Sequence, residues 1–371
     1  MRVGEGGVLM REAAWLAQLQ LLAGLRHSLL TLAPAIAAAV RAGLRADFSS
    51  VGLFDAATGA ASATWIERVS EPVLRWISGH RDELFARVSV QQQIDSDGDA
   101  IRVLFDDPAW LRDPVFLTVF APMNVRWCIG VPLRSGGGRC YGLMYLYRSA
   151  AAGRFSDADQ ARLREARDRL QGVGCALPGS STPVRQVPMR TAMLRIDVQG
   201  RIQARSAHAY ELLFLSQQQR IDSIGWAADD VRALPPPVEE RVWRLLRDAA
   251  GPATDEITLR DVGGGVRFNL ERLRDEADRQ PEVVVAMAHL EPVDLAVARQ
   301  LQRWPLTPRE KQLIVASVDQ PNQRLLASAM GCTVGTLKGY VNTLHAKLGI
   351  GSREVFVQQL LDEAVRAERV T

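Results

Sequence analysis

Leu306-Thr307-Pro308-Arg309-Glu310 is the stretch that decides how the C-terminal part of this chain folds. Thr307 is a favourable N-cap residue and Pro308 is tolerated at the first helical position. Glu310 stands where its carboxylate can reach back to the N–H of the cap. This capping box predicts a helix that begins at Pro308. The proline in Asp319-Gln320-Pro321-Asn322 predicts its end, because proline cannot continue the hydrogen-bond ladder.

Two further helices joined by a short turn are predicted after this one. The first covers about residues 323–330, and Gly331 supplies the turn, because glycine readily takes a positive φ. Thr333 caps the next helix, which runs to about Leu348. Apolar residues at spacings of three and four predict its buried face, which consists of Val334, Leu337, Val341, Leu344 and Leu348. Two helices joined by a short glycine-containing turn outline a helix-turn-helix.

The opposite face of this last helix is polar and favours duplex DNA as the partner. Short donors and acceptors near a helix N-terminus can read base edges, and lysines can neutralise phosphates. From Pro305 to Arg353 the chain has six Lys or Arg and two acidic residues, a net charge of +4, whereas the whole chain is +3. The candidate DNA-contacting residues are Thr333, Thr336, Lys338, Tyr340, Asn342 and Lys347. A three-helix bundle with an ordinary solvated face is the alternative.

The motif residues of this region resemble the LuxR-type helix-turn-helix of bacterial transcription factors. The matching stretches are Leu306–Glu310, Gly331, Val334–Lys338, Lys347–Gly349 and Ser352-Arg353. The resemblance covers about residues 305–361 and implies an all-α, four-helix DNA-binding domain whose recognition helix includes Thr336 and Lys338. It also implies that a final helix, over about residues 354–365, packs two protomers together.

Length and composition predict a globular protein of two or three domains. The 371 residues are 47% hydrophobic and 23% charged, as in ordinary soluble proteins. No run of about eighteen apolar residues and no signal-peptide layout occurs, so we expect no membrane span and a cytoplasmic location. The four cysteines form no C-x-x-C pair and have no histidine nearby at metal-ligand spacing, so we interpret them as free thiols.

Two joints divide the chain. Residues 177–188 are rich in Pro, Gly and Ser, as in a linker. A second joint lies near residues 291–304, where a connecting helix is favoured by Val293, Leu295, Val297, Ala298 and Leu301. The prediction is a multidomain α+β chain with domains at 12–176, 190–290 and 305–371.

The N-terminal part shows the order helix, hairpin, helical middle, hairpin and helix. Residues 15–45 are predicted to be largely helical, with Pro34 near a helix start or a break. This order resembles a GAF domain, and Val131–Leu133, Gly142–Leu146 and Phe155–Asp159 resemble the closing strands and helix of that family. The resemblance implies an antiparallel sheet with helices and a role as a ligand sensor.

Aromatic residues are concentrated in this N-terminal part, which holds five of the eight tryptophans. An aromatic-rich cavity with few polar anchors suits a small, mostly apolar or aromatic effector. The candidate ligand-binding residues are Trp65, Trp76, Phe105, Trp110, Phe116, Phe120, Trp127 and Tyr145. Plain core packing is the alternative for each. No cofactor is expected, since there is no Cys-His dipeptide for a covalent tetrapyrrole.

The middle part is predicted to contain two strands, a helical region and three closing strands. From Leu194–Ile202 to His289–Pro292, this order resembles a PAS domain. The resemblance implies an α+β unit, for which we favour dimerisation and signal relay over ligand sensing.

Together these features favour a ligand-responsive, one-component transcriptional regulator that binds duplex DNA as a homodimer. The alternative is a regulator controlled by a protein partner through its N-terminal domains, without a small ligand. An enzyme is disfavoured, because no Walker loop, Gly-x-Ser-x-Gly elbow or His-Glu-x-x-His motif occurs. Gly136–Gly138 and Gly263–Gly265 lie between predicted strands, so we interpret them as hairpin turns rather than phosphate-binding loops.

Overall fold

The computed structural model describes residues 5–25, 27, 29–54, 61–66, 73, 76–77, 79–87, 92–93, 101–135, 138, 140–171, 173, 186–206, 208–209, 212–213, 216, 234–248, 250–259, 265–273, 281–320 and 322–370. The chain divides into two compact units, the first essentially up to residue 180 and the second essentially beyond it. The second unit contains both the predicted middle part and the helical C-terminal part.

The first unit is an antiparallel sheet with helices. Its regular elements are α1 (Glu5–Ala23), α2 (Leu29–Leu44), β1 (Phe48–Phe54), β2 (Ala61–Ile66), α3 (Arg81–Arg87), β3 (Arg102–Leu104), β4 (Trp127–Arg134), β5 (Cys140–Arg148) and α4 (Asp157–Arg169). Two 3₁₀ helices, Pro108–Arg112 and Ala121–Met123, and a π-helix, Phe116–Phe120, lie between β3 and β4. The five strands are ordered β2-β1-β5-β4-β3, and all pairs are antiparallel. The predicted sheet with helices is confirmed.

Residues 15–45 are largely helical, as predicted, but they belong to two helices with a break between them, and the predicted position of Pro34 is wrong. The N–H of Gly24 closes α1 on the carbonyl of Gln20 at 3.1 Å, and α2 begins at Leu29. Pro34 lies inside α2, not at a start or break. Its neighbours Ala33 and Ile36 are fully buried, and burial of the helix outweighs the hydrogen bond that proline removes.

The two faces of this sheet differ, as the side chains of β5 show. Successive residues of a strand point to opposite faces. Arg148 faces the helices, because its guanidinium contacts the carbonyl of Leu44 in α2 and the carboxylate of Asp159 in α4. Tyr145 and Tyr147 lie on the other face and are half-buried. One face is therefore covered by helices and the other carries tyrosines.

The second unit begins with another antiparallel sheet. Its elements are β6 (Gln186–Ile196), β7 (Ile202–Arg205), α5 (Pro236–Arg247), β8 (Thr254–Leu259), β9 (Val266–Leu273) and β10 (Glu282–Pro292), with the strand order β7-β6-β10-β9-β8. Helix α5 contacts β8, β9 and β10. Its apolar face closes a core that includes Val242, Leu194 and Phe268.

The linker predicted over residues 177–188 is wrong at its C-terminal end. Strand β6 already starts at Gln186, and Pro188 pairs with Leu290 of β10 next to a register shift. A proline fits there because an irregular position does not require its missing donor. Residues 177–185 lie outside the described residues.

The C-terminal part is helical, as predicted. It comprises α6 (Val293–Gln300), α7 (Pro308–Asp319), α8 (Gln323–Ala329), α9 (Val334–Leu348) and α10 (Arg353–Val370). The predicted capping box is confirmed, because Thr307 Oγ1 accepts from the N–H of Glu310 at 3.3 Å and Glu310 Oε2 accepts from the N–H of Thr307 at 2.7 Å. Gly331 has a φ of 60°, and Thr333 caps α9 by accepting from the N–H of Thr336 at 3.2 Å.

Helix α6 was predicted as a connecting helix, and the helix is confirmed, but it is buried. It contacts β6 and β10 as well as α7 and α10. Helix α10 also contacts β6. Its buried residues are Phe356, Leu360, Leu361 and Ala364, and the ring of Phe356 meets that of Trp304 edge-on at 4.9 Å. The C-terminal helices are thus packed onto the second sheet.

Candidate functional site

Aromatic rings converge on the tyrosine face of the first sheet. We call the rings of Phe105, Trp110, Phe116, Phe120, Tyr145 and Tyr147 the aromatic cluster. Phe105 is at its centre, with ring centroids 4.8 Å from Trp110 and 4.7 Å from Phe120. Phe120 connects to the sheet through Tyr147 at 6.0 Å, and Tyr147 stacks with Tyr145 at 6.4 Å. The cluster therefore links the segment between β3 and β4 to strand β5.

The backbone of Phe105 is unusual for a bulky residue. Its φ is 68°, in the left-handed region, although its side chain is only 1% exposed. Such a conformation costs about 1–3 kcal/mol and persists only where the surroundings enforce it. Here Arg126 Nη1 donates to the Phe105 carbonyl at 3.0 Å. The central ring of the cluster is thus placed by a strained and pinned backbone.

A second irregularity lies beside Phe105. Residues Phe116–Phe120 form a single π-helical turn, and the N–H of Ala121 bonds to the carbonyl of Phe116. Isolated π-turns are uncommon and are frequent at functional sites. Both ends of this turn carry a ring of the aromatic cluster.

Polar groups border the cluster on the sheet. Ser50 Oγ and the Tyr147 hydroxyl are 2.9 Å apart and share a hydrogen bond. Gln93 Nε2 donates to the Tyr145 hydroxyl at 3.1 Å. Gly130 leaves room for this pair, because a Cβ there would lie 2.7 Å from the Tyr145 ring. The cluster is apolar on one side and has a hydroxyl-bearing rim on the other.

Tyr147 and Cys128, its partner in the sheet register, are held neutral. Burial raises the pKa of Tyr147 well above its usual value, and electrostatic repulsion from Cys128 adds to this rise. The hydrogen bond with Ser50 lowers the pKa but offsets the rise only in part. Burial likewise raises the pKa of the Cys128 thiol. At neutral pH the Tyr147 hydroxyl therefore keeps its proton and can donate or accept a hydrogen bond.

The structure brings together five of the eight predicted ligand-binding residues, namely Phe105, Trp110, Phe116, Phe120 and Tyr145. Trp76 instead stacks on His80 at 4.6 Å. Trp127 lies under the guanidinium of Arg126 at 3.9 Å. Neither has a ring contact with the cluster among the described residues. The side chain of Trp65 lies outside the described residues.

Four residues of this site are not among the eight predicted ligand-binding residues, namely Ser50, Gln93, Arg126 and Tyr147. Tyr147 lies two residues after Tyr145 on the same strand, so strand alternation was a usable signal for it. Ser50 reaches the site only through the pairing of β1 with β5, and Arg126 only through its contact with the Phe105 carbonyl. No local pattern indicates either.

The second candidate surface is the outer face of α9. The predicted DNA-contacting residues Thr333, Thr336, Lys338, Tyr340, Asn342 and Lys347 are all exposed. Leu337 and Leu344 on the opposite side are buried. The predicted division of this helix into a buried face and a polar face is therefore seen in the structure.

Lys347 differs from the other residues of this surface because it is engaged within the chain. Its Nζ donates to Glu310 Oε2 at 2.9 Å, and the same oxygen accepts from the N–H of Thr307 at 2.7 Å. Partial burial opposes ionisation of Glu310, but the contacts with Lys347 and Thr307 outweigh it and lower the pKa of Glu310. Any phosphate that approaches Lys347 competes with this carboxylate.

Other chemistries leave no trace in the described part of the chain. There, no three His, Cys, Asp or Glu residues are grouped to hold a metal ion. Cys128, Cys140 and Cys332 are free thiols, and Cys175 lies outside the described residues. Within the same residues, every helix is too short or too polar to cross a membrane.

The comparison with known families identifies the first unit. Residues 28–170 match the family model of the GAF domain. This region of the chain is a GAF domain. It contains all five strands of the first sheet and the whole aromatic cluster. GAF domains are sensory domains typical of signal-sensing regulators, so the cluster lies in a sensory module.

Several solved structures are similar to parts of the chain. The photoproduct state of a third GAF domain from Synechocystis is 19% identical and covers 40% of this chain and 95% of its own, with a TM-score of 0.30. PelD from Pseudomonas aeruginosa is 14% identical, with coverages of 77% and 78% and a TM-score of 0.29. The sensor region of a sensor histidine kinase is 14% identical, with coverages of 77% and 93% and a TM-score of 0.20. No curated protein sequence matches the chain significantly.

Proposed function

We propose that this protein is a cytoplasmic, ligand-responsive transcriptional regulator that binds duplex DNA through its C-terminal helices. The observation that carries the proposal is the outer face of α9, where capped helix geometry, exposed short polar side chains and Lys338 occur together. Thr336 and Asn342 offer donors and acceptors of the size that base edges need, and Lys338 offers charge for a phosphate. No catalytic step is assigned to the chain.

In this proposal α7 to α10 act as a LuxR-type four-helix domain, with α9 as the recognition helix. The turn at Gly331 and the Thr333 cap support this assignment. Arg309 supports the scaffold rather than the DNA contact, because its guanidinium bonds to the carbonyl of Met330 at the end of α8. The middle sheet acts as a PAS-like relay and dimerisation unit.

The GAF domain is the proposed site of a small, mostly apolar or aromatic effector. The convergence of six rings on a neutral hydroxyl rim supports this choice over control by a protein partner. An effector shifts DNA binding only if it binds the two conformations of the regulator with different affinity. The effector must therefore change the conformation of the cluster or of the elements next to it.

A homodimer with two DNA-binding heads would place half-sites about 34 Å apart, one turn of DNA. The family resemblance assigns protomer contact to the final helix, α10. In the structure, the face of α10 that carries Phe356 is buried within the chain. Dimerisation through that face would therefore require α10 to leave β6, whereas dimerisation through other surfaces would not.

The DNA-binding proposal is tested by replacing Lys338 with alanine. A labelled duplex is titrated with the full chain at salt concentrations from about 50 to about 200 mM. The plot of log affinity against log salt is expected to become shallower by about one unit of slope, because one phosphate contact is lost. The control is Arg112→Ala, which removes an equal charge from an exposed residue of the GAF domain. An unchanged slope for Lys338→Ala contradicts the assignment.

The intrachain contact of Lys347 gives a prediction of opposite sign. Glu310→Gln keeps an oxygen for the capping box but no longer attracts the Lys347 ammonium. DNA affinity at low salt is expected to rise severalfold. The plot of log affinity against log salt should become steeper by about 0.9 if Lys347 gains a phosphate contact. Glu354→Gln on α10 makes the same change in net charge at another exposed residue. Equal gains from both substitutions would show that net charge alone is responsible.

A further inference from the structure

Phe105 has a backbone conformation that its residue type does not favour. A turn that requires a φ near 68° is usually occupied by glycine, which has no Cβ, or by asparagine, whose short side chain tolerates the left-handed region. The turn follows β3 and leads into the 3₁₀ helix Pro108–Arg112. A phenylalanine at this position keeps its ring at the centre of the aromatic cluster, despite the strain in its backbone.

The strain at Phe105 is maintained by contacts on both sides of it. Leu104 pairs with Cys128 in the sheet, and Asp106 forms an ion pair with Arg154. Arg126 holds the Phe105 carbonyl at 3.0 Å. These contacts fix the backbone, while the ring itself contacts the rings of Trp110, Phe116 and Phe120 and has no hydrogen-bonding group. Displacing the ring therefore costs fewer hydrogen bonds than moving the backbone.

The π-turn Phe116–Phe120 provides a partner that can rearrange. A π-turn holds one residue more than an α-helical turn, so a change to α geometry rotates the side chains that follow it. Phe116 and Phe120 lie 5.5 and 4.7 Å from the Phe105 ring. If the Phe105 ring moves, both of these rings lose their central contact.

We propose that the Phe105 ring occupies the effector's place in the unliganded GAF domain, and that the effector is an uncharged, planar aromatic molecule with a hydroxyl group. This rests on the proposed role of the GAF domain as the effector site. The flat part of the molecule replaces the Phe105 ring against Phe120, whose own ring neighbours Tyr147, and its hydroxyl joins the hydrogen bond between Ser50 and Tyr147.

The chemistry of the surroundings sets the class of this ligand. Rings at centroid distances of 4.7 to 6.4 Å favour a planar aromatic partner. The rim consists of the Ser50, Tyr145 and Tyr147 hydroxyls and the Gln93 amide, which carry no charge, whereas the Arg126 guanidinium is directed to the Phe105 carbonyl and the Trp127 ring. A charged ligand would lose its hydration without gaining a counter-ion from the rim, so a neutral molecule is preferred.

The proposal is tested by equilibrium dialysis of the full chain with three probes of one ring size, namely 2-naphthol, naphthalene and the anion 2-naphthoate. Phe105→Ala is expected to bind 2-naphthol about tenfold more tightly than the wild type, because no ring has to be displaced. In this variant 2-naphthol should be preferred over both other probes. Adding both Ser50→Ala and Tyr147→Phe should abolish the preference over naphthalene, since both hydroxyls of this hydrogen bond are then lost.

Phe268→Ala is the matched control, because Phe268 is equally buried and belongs to a core of apolar side chains in the second unit. Any cavity in an apolar core can bind an aromatic probe, so a gain alone is not decisive. The proposal is overturned if Phe105→Ala gains no affinity, or if its gain matches that of Phe268→Ala without a preference for the hydroxyl. If Phe105→Ala fails to fold, Phe105→Leu should show the same preference with a smaller gain.

Failure of this inference is distinguishable from failure of the proposed function. A wild-type chain that binds 2-naphthol, with no gain from Phe105→Ala, overturns the displacement of the ring but leaves the GAF domain as an effector site. An unchanged salt slope for Lys338→Ala removes the assigned DNA contact without affecting probe binding.

Discussion

Replacing Arg148 with methionine is expected to lower the unfolding free energy of the GAF domain by about 3–5 kcal/mol, the range for removing one partner of a buried ion pair. The Arg148 side chain is 7% exposed and donates to Asp159 Oδ2 at 3.2 Å and to the carbonyl of Arg154 at 3.0 Å. It also contacts the carbonyl of Leu44. Methionine fills much of the volume but satisfies none of these acceptors.

Asp159 makes this loss larger, because it remains ionised without its main cation. Partial burial opposes its ionisation, but hydrogen bonds from Ser156 and the charge of Arg148 outweigh burial and lower the pKa of Asp159. A lowered pKa gives stability that is present above the unfolded value, about 3.9 for aspartate, and is lost as pH falls through the folded value. Arg148→Met should therefore also reduce the dependence of stability on acid pH.

Amide exchange of β1 and β5 during a urea titration of the full chain measures the Arg148 effect where it arises. Arg162→Ala is the matched control, because Arg162 also pairs with Asp159, at 3.7 Å, but is 38% exposed. An exposed pair of this kind contributes about 0–1 kcal/mol. Equal losses for the two variants would show that Arg148 does not tie α2 and α4 to the sheet.

The parts of the fold that the sequence predicted well depend on short-range chemistry. The start of α7 follows from Thr307 and Glu310, which are three residues apart and satisfy each other's backbone N–H groups. The same holds for Gly331, whose φ of 60° needs no distant contact. The buried face of α9 follows from helical periodicity alone.

The parts that the sequence did not predict depend on which distant residues meet. Arg148 and Leu44 are brought together by the packing of α2 on the sheet, and Ser50 meets Tyr147 only in the register of β1 with β5. The composition around Pro188 indicates a linker. It does not show that β10 is available to pair with this segment at a bulge. Five of the eight aromatic candidates meet in one cluster, but aromatic content could not separate them from Trp76 and Trp127.

Phe356→Ala is expected to lower the unfolding free energy of the second unit by about 3–5 kcal/mol, as for other fully buried phenylalanines. The Phe356 ring is 1% exposed and lies edge-on to Trp304 at 4.9 Å. Its loss leaves a cavity where α10 packs against the rest of the unit. Val355→Ala is the matched control, because Val355 is the adjacent residue and is 64% exposed, so its change should stay within about 0.5 kcal/mol.

The segments in which Phe356→Ala accelerates amide exchange show whether the C-terminal helices unfold together with the second sheet. Helix α10 contacts β6, and α6 lies against both the sheet and α7, so the amides of β6 should exchange faster by the same factor as those of α10. Faster exchange in α10 with unchanged exchange in β6 would mean that the helices unfold separately. In the first case a conformational change in the second sheet reaches α9 through packed side chains. In the second case α9 is only tethered, and a change elsewhere in the chain could act on it only by moving it.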